Sequence, residues 1–408
     1  MNNEAIIRLR NELEEELQEN ILPFWMEHMP DRQKGGFHGH LTHRNEVVGG
    51  ASRGAIQNAR ILWTFSAAFR HYPKKEYLDT ALRAFDYILL HFMDRESGGV
   101  FWELDEFGRV KDPRKQIYAN AFVIYAMAEY YRATGNEEAL GTARAIFREV
   151  ENHARDRERN GYIEALGRRW EEIGDMRLSE KDDNERKTMN THLHLLEAYT
   201  GLIRVWRDPE PTAALENLIG LFLDHFIDPG TKHLRLFFDD DWTSKSDLVS
   251  FGHDIECSWL LHESAGVLGN PSLEEQTGRL AVEMARINLN GLDGDGGLFY
   301  EYFPSVNRFD TDKHWWPQAE AMVGYFNAWQ LSGEHLFLEQ TLASWRFIRE
   351  KLVDRTYGEW YWSVNQKGEP QTDKEKAGFW KCPYHNGRAC LEIIGRTGAM
   401  TGRDQSNN

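Results

Sequence analysis

A short pattern returns six times along this 408-residue chain, and a repeat of such long period restricts architecture more than any single motif does. The copies are Gly35-Gly36-Phe37-His38-Gly39, Gly98-Gly99-Val100-Phe101-Trp102-Glu103, Gly161-Tyr162-Ile163-Glu164, His233-Leu234-Arg235-Leu236-Phe237, Gly296-Gly297-Leu298-Phe299-Tyr300-Glu301 and Gly358-Glu359-Trp360-Tyr361-Trp362. Each is a brief aromatic run among turn residues and reads as a short strand or hairpin arm. Between consecutive copies lie two helical patterns joined by a tight turn, as in residues 117–133, the turn Thr134-Gly135-Asn136, and residues 137–150. This is an αα-hairpin.

The two helices of a pair differ in pattern. The first is apolar nearly all round, as in Ala119, Ala121, Phe122, Val123, Ile124, Tyr125, Ala126 and Met127, so it must have protein on every side. The second carries one apolar stripe, Leu140, Ala143, Ile146, Phe147 and Val150, with Glu138, Arg144, Arg148 and Glu149 elsewhere. Inner helices are expected to begin near residues 54, 116, 188, 252, 313 and 383, and outer ones near 4, 75, 136, 211, 272 and 335. Asn136 before Glu137, and Ser272 with Glu275 at capping-box spacing, mark two of the outer starts. The first helix lacks an inner partner before it and the last lacks an outer partner after it, so the two ends pair. The expected fold is all-α: a single (α/α)6 barrel of six inner and six outer helices over residues 1–398, with short β-hairpin-like loops at its mouth and a flexible tail over 399–408. An open α-solenoid is the alternative; it would call for a polar cap, where the last helix has Ala389, Leu391, Ile393 and Ile394.

Charge removes some partners. Lys plus Arg number 48 against 65 Asp plus Glu, a net charge of −17, which excludes an electrostatic footprint for nucleic acid or an anionic membrane surface. Cys257, Cys382 and Cys390 are too few for a disulfide framework, as in a reducing compartment. No run of apolar residues is long enough to span a bilayer, and Glu12, Glu14, Glu15 and Glu16 stand where a signal peptide would need an apolar stretch. A mature cytoplasmic monomer acting on a small molecule is the expectation.

In such a ring the aromatic-rich connections run into the N-termini of the inner helices, so residues there face one shared mouth. They are Arg53, Gln57 and Arg60; Tyr118 and Asn120; Asn190, His192 and His194; His253 and Glu256; Trp315, Trp316 and Glu320; Tyr384 and His385. His253 with Glu256, Trp316 with Glu320, and Asn190 with His194 have helical spacing and can point inward together. His192 and His194 lie about 200° apart on a helix, so only one of them can face the lumen. With no phosphate-cradling glycine loop, nucleophile elbow or dinucleotide fingerprint, no cofactor and no metal are expected. Three histidines, two glutamates, arginine and many aromatics suit metal-free proton transfer on a sugar, since histidine serves as base and acid near neutral pH. Phe101, Trp102, Trp170, Tyr302, Trp360 and Trp362 are candidate stacking platforms or loop anchors. A zinc site on Cys257, Cys382 and His385, an inverting glycoside hydrolase using Glu256 and Glu320, and a non-catalytic sugar-binding toroid remain as alternatives.

Four segments carry a family resemblance: Met189-Asn190-Thr191-His192-Leu193-His194-Leu195-Leu196-Glu197, Gly252-His253-Asp254-Ile255-Glu256-Cys257-Ser258-Trp259, Trp315-Trp316-Pro317-Gln318-Ala319-Glu320 and Phe379-Trp380-Lys381-Cys382-Pro383-Tyr384-His385-Asn386-Gly387. Together they resemble the N-acylglucosamine 2-epimerase superfamily, in its branch that converts β-1,4-linked disaccharides. The resemblance implies reversible C2 epimerisation of a reducing-end glucose, as in cellobiose or lactose, with N-acylglucosamine epimerisation or mannose isomerisation as its sister activities. It further implies that His253 and His385 are the two acid/base histidines, that His194 assists ring opening, and that Arg60 stands beside the reacting oxygens. By the same resemblance Tyr118, Asp182, Asn190, Glu256, Trp259, Tyr302, Trp316, Glu320 and Trp380 support the histidines or hold the two sugar units.

Overall fold

The computed structural model describes residues 2–401. Two N-terminal helices, α1 (Asn2–Glu15) and α2 (Leu22–His28), are joined through a π-helical turn at Glu16–Ile21 and form the first outer arm. Inner and outer helices then alternate: α3 (Ala55–His71), α4 (Lys75–Tyr87), α5 (Ile117–Thr134), α6 (Glu137–His153), α7 (Met189–Ile203), α8 (Pro209–Leu221), α9 (Phe251–Leu268), α10 (Pro271–Asn288), α11 (Trp315–Ser332), α12 (His335–Phe347) and α13 (Tyr384–Thr401). The inner helices are α3, α5, α7, α9, α11 and α13, and their burial matches the all-round apolar pattern: Ala55 through Ala68 of α3 is buried without a break. On α6 the buried residues are only the stripe Ala139, Leu140, Ala143, Ile146, Phe147 and Val150.

The ring closes. Antiparallel bonds join Leu41, in the first repeat, to Ala377, in the last: Leu41 N to Ala377 O at 2.8 Å and Lys376 N to Leu41 O at 2.9 Å. Tryptophans of the last repeats donate to the acidic run of the first helical arm, Trp345 to Glu12 at 2.7 Å and Trp360 to Glu16 at 2.7 Å. Trp25 returns the tie by donating to Glu359 at 3.1 Å. The open solenoid is thereby excluded, and the chain forms an (α/α)6 barrel.

The six glycine-aromatic copies are hairpin arms held by single bridges, and three of them run into short strands at their last residues, Glu103, Phe237 and Glu301. Their bridges are Pro30 with Phe37, Met93 with Val100, Arg155 with Tyr162, Ile227 with Leu234, Leu292 with Leu298, and Val353 with Trp360. The chain must reverse there in the left-handed region; Gly98 and Gly99 have φ of 75° and 65°, and a Cβ on Gly99 would come 2.8 Å from Asn120 Oδ1. Regular ladders form further on, between the two residues before one inner helix and the hairpin of the following repeat. Arg53 and Gly54 pair with Leu104 and Glu103, Lys115 and Gln116 with Leu166 and Ala165, and Lys187 and Thr188 with Phe238 and Phe237. These ladders fix the mouth.

A buried cation anchors most repeats. Arg53, Lys115, Lys187, Lys313 and Lys376, each at or beside a ladder, pair with Asp31 at 2.6 Å, Asp94 at 2.9 Å, Asp156 at 2.9 Å, Asp293 at 2.8 Å and Asp354 at 2.5 Å. The fourth repeat has Val249 at this place, and its Asp228 pairs with Arg235.

Two expectations need correction. The cap of α10 is Asn270, which accepts from Ser272 N and Leu273 N at 3.2 and 3.3 Å. Ser272 itself is already inside the helix, because Pro271 is favoured at the first helical position. The tail expected from residue 399 begins as helix through Thr401, and residues 402–408 lie outside the described residues. As foreseen, Asn136 caps α6, accepting from Ala139 N at 3.1 Å. No described helix is long and apolar enough to cross a membrane.

Candidate active site

Position along each inner helix sorts the polar residues at the mouth. The fourth residue of α5, α7, α9 and α11 is Asn120, His192, Asp254 and Gln318. Each accepts the backbone N–H at the bridge of its repeat: Val100 at 3.1 Å, Tyr162 at 2.9 Å, Leu234 at 2.8 Å and Leu298 at 2.7 Å. This tier satisfies buried donors and builds the scaffold. His192 belongs to it, with Nδ1 against Thr188 O at 2.7 Å, so the inward histidine of the pair is His194. Arg53 and Trp315 are scaffold as well, the first in its salt bridge and the second buried at 3% exposure.

The sixth residue of α3, α5, α7, α9 and α11 is Arg60, Phe122, His194, Glu256 and Glu320, and Arg388 completes this tier on α13. Above it, nearer the helix starts, are Tyr118, Asn190, His253, Trp316 and His385. All three inward histidines have a fixed Nδ1. His194 Nδ1 lies 3.0 Å from Glu197 Oε2, His385 Nδ1 lies 2.7 Å from Glu320 Oε1, and His253 Nδ1 lies 2.7 Å from Ser250 Oγ. Facing a carboxylate, an imidazole holds its proton on Nδ1 and leaves Nε2 bare. Neither Nε2 has a hydrogen-bond partner among the described residues.

Arg388 sits at the centre of these carboxylates. Nη2 donates to Glu256 Oε1 at 2.8 Å and Glu320 Oε1 at 2.6 Å, while Nη1 donates to Glu197 Oε1 and Tyr384 Oη. Neither Arg388 nor a role for Glu197 was foreseen from the sequence; the signal available was a charge at helical spacing from His385 and another from His194. Glu256, Glu320 and His385 also bring three potential metal ligands within 4.8 Å of one another. Both carboxylates of that group are already bonded to the guanidinium. The alternative zinc set fares worse, since Cys382 Sγ takes Arg60 Nη1 at 3.9 Å and Cys257 is sealed in the core.

Electrostatics follow from burial. Desolvation pulls His253 down to about 3, helped by His194, and lowers His194 and His385 as well, so all three are neutral near pH 7. Burial and then the Glu320 charge push Glu256 up to about 8. Burial opposes the charge of Glu197, yet Arg388 and His194 hold it near 2. Glu320 is raised by burial, while Arg388, Trp259 at 3.1 Å and His385 surround its charged form with donors.

The other foreseen residues divide into lining and support. Trp316 touches both acid/base candidates, with ring centroids 4.7 Å from His253 and 5.5 Å from His385. Arg60 donates to Tyr118 Oη at 2.7 Å and to Trp380 O at 3.2 Å, and its Nε is buried without a partner. Asn190 Oδ1 is likewise unpartnered. Trp259, Glu256 and Glu320 are at most 1% exposed; they stand behind the histidines instead of offering a surface to a sugar. Asp182 is bonded to Ser179 N and Oγ at 2.8 Å; burial raises both Glu164 and Glu301 across the rim, and the charge of Asp182 adds to it. Tyr302 lies on the rim hairpin, packed on Phe309 and bonded to Asn307 at 3.0 Å, whereas Tyr300 is the tyrosine that reaches Trp316. Trp170 is an anchor, donating to Ser97 O at 2.6 Å and stacked on His153, and Phe101, Trp102 and Trp360 are buried.

Known proteins match this arrangement. The family model described as N-acylglucosamine 2-epimerase covers residues 35–389. A protein named cellobiose 2-epimerase from Bacteroides fragilis is 51% identical over 95% of this chain and 99% of its own length. The solved structure of cellobiose 2-epimerase from Bacillus thermoamylovorans superposes with a TM-score of 0.91 at 40% identity, covering 97% of this chain and all of that one. A D-mannose isomerase structure shares the fold, with a TM-score of 0.83 at 22% identity. By the ring, its inward histidines and these matches, the chain belongs to the N-acylglucosamine 2-epimerase family.

Proposed function

We propose that this enzyme is a cellobiose 2-epimerase, inverting C2 of the reducing-end glucose in β-1,4-linked disaccharides such as cellobiose and lactose. The observation that carries the reading is a pair of uncharged imidazoles, His253 and His385, that both contact Trp316 at one mouth. Ring opening exposes an aldehyde, and the carbonyl acidifies the C2 proton. One imidazole removes that proton at its Nε2 and becomes imidazolium, leaving a planar enediolate; the other, having first taken up a proton from solvent at its own Nε2, returns it to the opposite face, and the pair resets by proton exchange with solvent. Two bases are needed because inversion requires access to both faces. Arg60, with its unpartnered Nε, and the inner-helix N-termini stabilise the developing oxyanion. His194 serves ring opening; Tyr118, Asn190, Trp316 and Trp380 line the reacting sugar, and Asp182 and Tyr302 stand at the rim for the second. No resident metal or cofactor takes part in this scheme. The enzyme works as a cytoplasmic monomer.

Incubation with cellobiose, lactose, N-acetylglucosamine and mannose in deuterated water, followed by NMR, tests this. Cellobiose is expected to yield glucosyl-mannose with deuterium at C2 and an intact glycosidic bond. Release of glucose would indicate a hydrolase acting through Glu256 and Glu320, and no exchange at C2 would indicate a binding protein.

A further inference from the structure

Two of the three inward histidines share one support. Glu197 orients His194 from α7, Glu320 orients His385 from α11, and both glutamates, together with Glu256 of α9, are bonded by the guanidinium of Arg388 on α13. The shared arginine is 1% exposed, so its charge is unscreened by water. We propose that Arg388 is the positioning residue common to His194 and His385: it keeps Glu197 and Glu320 ionised in a dry core, and so holds both imidazoles with Nδ1–H on a carboxylate and a bare Nε2 toward the sugar.

The charges around the network define what Arg388 does. His385 is faced by Glu320 of α11, Glu256 of α9, His194 and Glu197 of α7, Arg60 of α3, and Tyr384 and Arg388 of its own helix. Tyr118 of α5 meets His194 edge-on, with centroids 4.9 Å apart. Without Arg388, three carboxyl groups would crowd a buried volume with Arg60 as the remaining cation. Glu197 and Glu320 would then favour their neutral forms. A neutral carboxyl can donate to Nδ1 as readily as accept from it, so the tautomer would no longer be fixed and Nε2 would be a base for only part of the time. A lysine at the same place carries the charge on a single atom and cannot reach the three acids as a planar fork does. His253 lies outside this network, since its Nδ1 partner is a hydroxyl.

The inference rests on the epimerase reading for its kinetic consequence, but its structural core is read without activity. Nitrogen-15 NMR of histidine-labelled wild-type protein is expected to show His194 and His385 as Nδ1–H tautomers, and Arg388→Met to show both tautomers for these two with His253 unchanged. On cellobiose, Arg388→Met is expected to lose kcat by roughly 100-fold with KM within about threefold, the scale of one general-base contribution. Arg388→Lys should recover part of kcat. If Arg388→Met does not fold, the double variant Arg388→Met/Glu256→Gln removes one of the crowded acids and is read in the same way. Unchanged tautomers, or an unchanged kcat, in a folded variant would overturn the proposal and leave Arg388 as packing. Wild-type protein that shows the tautomers but does not epimerise cellobiose would count against the function and not against the network.

Discussion

His253 and His385 occupy equivalent ends of their helices but have different partners, a hydroxyl from Ser250 and a carboxylate from Glu320. The imidazolium of His385 therefore has a counter-ion and that of His253 does not. If each serves one face of the enediolate, replacing either by Asn abolishes net epimerisation while leaving slow C2 exchange into one epimer. Deuterium incorporation read by NMR should place the label in the glucose form for one variant and in the mannose form for the other; identical patterns would mean that one base serves both faces. Burial lowers all three imidazoles below their ordinary 6.5, so the bases stay unprotonated as pH falls. The kcat/KM profile should accordingly be flat through pH 6.5, with its acid limb lower. At this scale the inward histidines were readable from spacing, since His192 and His194 cannot share a face. Arg388 was not, because an arginine on a largely apolar helix gains meaning only when Glu197, Glu256 and Glu320 arrive from three other helices.

Among the elements, the recurring Asp–cation bridge is the device that ties hairpin to ladder. Lys376 and Asp354 have fully buried side chains and stand beside the strand that closes the ring. Lys376→Met is expected to cost about 3 kcal/mol, because it strands a buried carboxylate. Denaturant unfolding would measure it, and Lys376→Met/Asp354→Asn should regain most of the loss; an additive double variant would mean that the pair is not coupled. The αα-hairpins were legible because burial on every side or on one stripe leaves a period in the sequence. Less legible were the π-helical segments that end outer helices, Ile88–Phe92, Phe222–Phe226 and Ile348–Leu352, since a one-residue change in hydrogen bonding barely alters a hydrophobic period. The glycine-aromatic copies were legible as short strands or hairpin arms, but their ladder partners were not, because each ladder pairs with the next repeat and depends on which neighbour the ring supplies.

Across the whole molecule, stability should depend on acid pH through the six turn aspartates, Asp31, Asp94, Asp156, Asp228, Asp293 and Asp354, all held below their ordinary value. Burial opposes ionisation in all six and is the largest single influence in four, yet backbone N–H groups and the paired cations prevail; in Asp228 and Asp293 a direct bond from Thr231 N or Lys313 is the largest influence. A depressed folded pKa gives stability that is complete above the unfolded value of 3.8 and is lost as pH drops through the folded one. Calorimetry should show Tm falling steeply below about pH 4; a constant Tm to pH 2 would deny these turns that role. The amino-acid order alone established six helix pairs, which member of each pair lies inside, the shared mouth and the family, because burial and turn chemistry are local and leave a periodic trace. Ring closure was also expected from the unpaired first and last helices, whereas the contacts that seal it, the split between scaffold and lumen tiers, and the charge network around Arg388 emerged from three-dimensional packing. The sealing contacts and the Arg388 network join residues from distant repeats, and whether a buried charge is stable there depends on partners that no local pattern names.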